Sequence, residues 1–226
     1  MGLVLNWALV VLTLALVAGL GWWDEIRLLA PVRRRELVYL LPFAAMVAVP
    51  LAVGVRVPEV SLVRGTVLSP PATAVALVVG VALGAAVFVE LLFRGVLLRA
   101  LEPRGRLVAA VTTATAFGLT HVAKIVLGGP VGEWLVAMAL IVPLGVGLAA
   151  VAFRLESLWP LVVWHFAVDV AGLFGASDAS ATRTLATVGL VVVVGAVGVW
   201  LCWRDDREAG RGDPGVAPEP AESRAG

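Results

Sequence analysis

Apolar residues dominate seven stretches of the chain, at 3–21, 37–55, 72–99, 107–127, 134–153, 160–175 and 184–203, separated by short polar connections such as Trp22–Glu36. A membrane helix needs about 20 mostly apolar residues, because roughly 30 Å of hydrocarbon is crossed at about 1.5 Å per residue. Six stretches meet that length; 160–175 is short. The runs are too long for barrel strands and do not alternate as such strands do. A helix also pairs its own backbone amides inside lipid. The pattern therefore predicts an all-α, polytopic integral membrane protein with about seven transmembrane helices. No Lys or Arg precedes the first stretch, so it is read as a retained membrane helix rather than a cleaved signal peptide.

The expected organisation is N-terminal helices and loops over 1–71, core helices over 72–175, a last membrane helix over 176–203, and a tail over 204–226. The tail is rich in Gly, Pro, Ala and charge and is expected to be disordered.

Composition supports this reading. Of 226 residues, 61% are hydrophobic and 15% charged, with a mean hydropathy of +1.00; a soluble domain carries about 25% charged residues. A net charge of +1 gives no field for nucleic acid. The single cysteine, Cys202, forms no internal disulfide. Basic residues set the orientation. With the N-terminus outside, Arg27, Arg33, Arg34, Arg35, Arg99, Arg104, Arg106, Arg154 and the arginines after 203 fall inside. Only Arg56, Arg64, Lys124 and Arg183 fall outside. The expectation is N-terminus out and C-terminus cytoplasmic, in the plasma membrane.

Ionisable residues inside spans are costly and mark functional positions. Glu90 and Arg94 are four apart on the third stretch and share a helix face. Phe117 and His121 share a face on the fourth, where Gly118 permits close helix approach and Lys124 is expected to reach toward the interface. His165 and Asp169 share a face on the sixth. Each pair alone is compatible with a packing contact; three on three spans point to one shared polar site. Trp159 and Trp164 are read as interface anchors.

These residues resemble the CPBP family of intramembrane proteases, the CAAX-processing and bacteriocin-immunity type. That family carries Glu-Glu-x-x-x-Arg, then Phe-x-x-x-His, then His-x-x-x-Asn/Asp on successive helices. The matching stretches here are Val89–Arg94, Phe117–His121 and His165–Asp169, within residues 72–175. The resemblance implies an endopeptidase that hydrolyses a peptide bond of a membrane-associated protein or peptide through an activated water. It implies catalytic roles for Glu90, His121, His165 and Asp169, with Arg94 and Phe117 supporting the site. The sequence departs from the family at Val89, where the first glutamate, the one thought to activate water with His121, is missing.

Three accounts of that departure stand open at this point. Glu90 takes over as base; His121 or Asp169 serves instead; or the chain binds a peptide partner or acts as an immunity-type protein without cutting. A proton-coupled transporter is the reading from another class, although no inverted repeat is visible. Two histidines and two carboxylates are acceptable zinc donors by type, but no span has His-Glu-x-x-His spacing, so no cofactor is expected.

Overall fold

A computed structural model describes residues 2–55, 69–175 and 181–211. All seven apolar stretches form helices: α1 (Gly2–Leu20), α2 (Ala45–Val53), α3 (Pro70–Arg104), α4 (Arg106–Val126), α5 (Val131–Ala152), α6 (Trp159–Phe174) and α7 (Ala181–Arg211). The described residues contain no strand, only an isolated antiparallel bridge between Val55 and Gly175 that ties the end of α2 to the end of α6. The protein is all-α and polytopic.

Of the seven expected spans, four or five among the described residues meet the length and hydropathy of a full crossing. Helices α3, α4, α5 and residues Thr184–Gly210 of α7 are long and apolar enough to cross a membrane. The second stretch begins as a tight 3-10 helix, Arg34–Phe43, and bends by 57° into α2, giving a fifth span if the pair is counted as one. Pro42 sits at the bend, where it supplies no N–H and disrupts a regular α ladder. Helices α1 and α6 are apolar but shorter. At about 1.5 Å per residue, the 16 residues of α6 cover about 24 Å.

The end of the seventh stretch also differs. Helix α7 continues through Arg211, so 204–211 are helical. The remainder of the expected tail, 212–226, lies outside the described residues.

The first helix is built into the bundle. Asn6 Nδ2 donates to the Val81 carbonyl at 3.2 Å and Trp7 Nε1 to that of Val79 at 3.1 Å. Both acceptors lie in a π-helical part of α3, Ala76–Leu83. Gly84 makes the approach feasible, since a methyl group there would sit 3.1 Å from Asn6 Cβ. Between α4 and α5, Gly118 does the same: a methyl group would lie 2.8 Å from Val142 Cγ2.

One end of the bundle is fastened by charge. Arg106 and Arg154 both pair with Asp205, at 3.1 and 3.0 Å, and Arg99 and Arg106 both pair with Glu102, at 2.9 and 3.3 Å. Arg27 Nη1 donates to the Leu155 carbonyl at 2.8 Å, and Arg33 pairs with Glu156. Buried Glu36 accepts the Glu156 N–H at 2.9 Å. The residues that the sequence placed on one side thus gather at one end.

Asp206 caps α4 from α7. Its Oδ1 accepts the Arg106 N–H at 2.7 Å and its Oδ2 the Leu107 N–H at 3.0 Å. These amides have no partner within their own helix. Asp206→Ala is expected to lower unfolding stability by about 1 kcal/mol, and Asp206→Asn by less because one acceptor oxygen remains. Thermal unfolding in detergent measures both.

Candidate active site

The backbone widens where the first motif begins. Glu90–Leu97 is π-helical, and the Leu98 N–H donates to the Phe93 carbonyl five residues back. Such stretches are rare and concentrate at functional sites. This one turns Glu90, Leu91, Phe93 and Arg94 into the protein, where all four are buried.

Glu90 is fully buried and joins two helices. Its Oε1 accepts from Arg94 Nη1 at 3.3 Å and from His165 Nδ1, on α6, at 2.7 Å. The other oxygen, Oε2, has no hydrogen-bond partner, and neither has Arg94 Nη2, although both atoms are buried. Acceptor and donor capacity are therefore left over on the same ion pair. His165 Nε2 faces Asp169 Oδ1 at 3.8 Å, beyond direct hydrogen-bonding distance.

Phe117, on α4, connects the remaining parts. The Arg94 guanidinium lies over its ring, 5.1 Å from the centroid. Edge contacts join the same ring to Phe93 at 5.2 Å, His121 at 5.1 Å and His165 at 6.3 Å. The three motifs thus converge on one locus, but not in one hydrogen-bonded set. Glu90, Arg94 and His165 touch directly, Asp169 stands next to His165, and His121 joins through the Phe117 ring.

His121 lies at a break in α4, between Arg106–Thr120 and Val122–Val126. Its N–H bonds the Gly118 carbonyl and its carbonyl accepts from Lys124, both three residues away, so the helix tightens here. The ring nitrogen Nδ1 is 3.2 Å from the Phe117 carbonyl. A carbonyl only accepts, so that contact makes Nδ1 the donor and leaves Nε2 with the lone pair in the neutral ring. Trp134 of α5 stacks on His121 with centroids 6.1 Å apart, and Lys124 Nζ lies 5.7 Å from the same indole.

Sequence reasoning missed Trp134 and Phe93. No spacing rule links Trp134 to His121; an aromatic near the start of the next helix was the only signal. Phe93 stood inside the first motif as an apolar residue. Trp164 needs correction as an interface anchor: it is buried, donates to the Phe43 carbonyl at 3.2 Å and meets the Phe43 ring edge-on. Trp159 is exposed and donates to the Leu28 carbonyl. Val89 is half-buried and brings no polar atom to the site. Among the described residues, no three His, Cys, Asp or Glu side chains are grouped as a metal site.

Removing one partner from a buried ion pair costs about 3–5 kcal/mol, whereas removing both charges together costs far less. Arg94→Met is expected to destabilise by that amount, and the double variant Glu90→Gln/Arg94→Met to recover most of the loss. A double-mutant cycle of unfolding in detergent measures the coupling.

Residues 71–171, which contain all three motifs, match the family model described as type II CAAX prenyl endopeptidase Rce1-like. No curated protein and no solved structure matches the chain. The converging motifs lie within that match, and through this helical core the chain is similar to the type II CAAX prenyl endopeptidases.

Proposed function

We propose that the chain is an intramembrane endopeptidase that hydrolyses a peptide bond of a membrane-associated protein or peptide, with Glu90 as the water-activating base. The observation that carries this reading is the divided state of the Glu90 carboxylate. Arg94 and His165 hold Oε1, and Oε2 is unpartnered.

The family motif puts its base one position earlier, at Val89. On a regular α-helix one residue is a rotation of about 100°. Here the backbone is π-helical from Glu90 onward, and Glu90 is fully buried while Val89 is only half-buried. In the proposed step, Glu90 Oε2 takes a proton from water as the water oxygen bonds to the peptide carbon. The carbonyl oxygen gains the negative charge, and Arg94 Nη2 donates to it. As the C–N bond breaks, Glu90 returns the proton to the leaving amine. His165 keeps Glu90 in place, Asp169 orients His165, and His121 Nε2 offers a second acceptor for the water. No metal or other cofactor is assigned a role.

A second reading has its own observation. Val89 neither takes a proton nor donates one, and Glu90 is closed from solvent. A chain with this scaffold would bind a peptide partner, as an immunity-type protein does, without cutting it. The basic end is read as cytoplasmic on the positive-inside rule, and the plasma membrane is the proposed location.

Cleavage of a membrane-peptide library by the purified protein in lipid separates the two. If Glu90 is the base, Glu90→Gln lowers the rate by about 10²–10⁴-fold and His121→Ala also lowers it. If the wild type does not cut and Val89→Glu does, the endopeptidase reading fails and the binding reading stands.

A further inference from the structure

Helix α7 does not close against the bent second stretch. A cleft of about 400 Å³ lies between the Arg34–Phe43 helix, α5 and α7. Its walls are apolar and include Val38, Ala150, Val193 and Val197, with Tyr39 and Arg154 as the polar members. The volume falls within the roughly 300–1,000 Å³ of small-molecule sites. Along α7 the wall runs from Val193 to Leu201, or about 12 Å at the α-helical rise. That is close to one leaflet, half of roughly 30 Å.

The charge at the cleft's head limits what fits. Arg34 and Arg35 begin the 3-10 helix that forms one wall. Arg35 stands one turn before Val38, about 6 Å along the axis. Both arginines are exposed, and neither has a carboxylate partner among the described residues. Their neighbours differ: Arg33 pairs with Glu156, and Arg154, in the cleft wall, pairs with Asp205. An apolar slot about one leaflet long, beside a wall helix that begins with two exposed arginines, is complementary to a molecule with a hydrocarbon chain and an anionic head.

We propose that this cleft binds one anionic phospholipid, with an acyl chain between the Arg34–Phe43 helix, α5 and α7 and the phosphate on Arg34 and Arg35. Basic residues at the membrane surface favour anionic lipid, and the lipid fills space that no side chain of the bundle occupies. The site is separate from Glu90 and His165, none of whose partners line it. The inference does not depend on peptide-bond cleavage.

The test uses the full chain, delipidated in neutral detergent and titrated with phosphatidylglycerol or with phosphatidylcholine of the same acyl chains. Native mass spectrometry counts bound lipid, and tryptophan fluorescence follows thermal unfolding. Phosphatidylglycerol is expected to bind at one molecule per chain, more tightly than phosphatidylcholine, and to raise the unfolding midpoint. Arg34→Gln/Arg35→Gln is expected to weaken it by about 30-fold. Arg104→Gln, an exposed arginine away from the cleft, leaves it unchanged. Val193→Trp/Val197→Trp fills the slot and abolishes tight binding of phosphatidylglycerol, with helix content by circular dichroism as the folding control. Equal binding of the two lipids overturns the proposal, as does equal loss in Arg104→Gln. If the tryptophan variant instead converts a lipid-free dimer into monomers, a second copy of the chain fills the cleft and the proposal fails.

Discussion

A carboxylate inside a bilayer must be answered from within the protein, and Glu90 is the group that the arrangement of helices answers. Insertion of a charged side chain at a helix centre costs about 2.5–3.5 kcal/mol on translocon scales. Arg94 answers from the same helix and His165 from α6. The second contact brings α6, a helix short for a full span, against the middle of α3. Phe117 then closes the third side with its ring on Arg94, His121 and His165. A histidine, an arginine and a glutamate that would each be costly alone become one paired group, with Glu90 Oε2 and Arg94 Nη2 left unpartnered.

The fastening at the basic end sets the register in which these groups meet. Asp205 and Asp206 hold α7 to Arg106, Arg154 and the first amides of α4. The Trp22–Glu36 connection is held to the loop before α6 by Arg27, Arg33 and Glu36. Surface ion pairs contribute little one by one. Here they share partners, with Asp205 meeting Arg106, Arg154 and Arg204, and they fix the starting points of α4 and α6. From those points the helical rise carries Phe117 and His165 to the depth of Glu90.

Much of this was legible because lipid leaves the chain few choices. Every apolar stretch became a helix, and the i, i+4 pairs Glu90–Arg94, Phe117–His121 and His165–Asp169 each share a face as the spacing requires. The extent of spanning was less legible. Pro42 bends the second stretch, and α7 continues past 203 because Arg204, Asp205 and Glu208 form pairs along a helix instead of loosening into the tail. The contact between Glu90 and His165 joins positions 75 residues apart, and no local pattern encodes it. Trp134 was invisible for the same reason: its partner is set by how α4 and α5 pack.

The two π-helical stretches of α3 have a common physical explanation. A widened turn displaces carbonyls and amides from regular partners, and in lipid no water repairs the loss. Such turns persist where the surrounding protein supplies donors or uses the altered direction. At Val79 and Val81 the donors are Trp7 and Asn6 of α1. At Glu90–Leu97 the altered direction points Glu90 and Arg94 together into the interior. Helix α1 therefore does more than add an apolar helix to the bundle. It supplies donors to the first irregular stretch of the same helix that carries Glu90. A site whose first motif position is valine depends more heavily on how α3 places Glu90, because that is the only carboxylate left in the motif and it is fully buried.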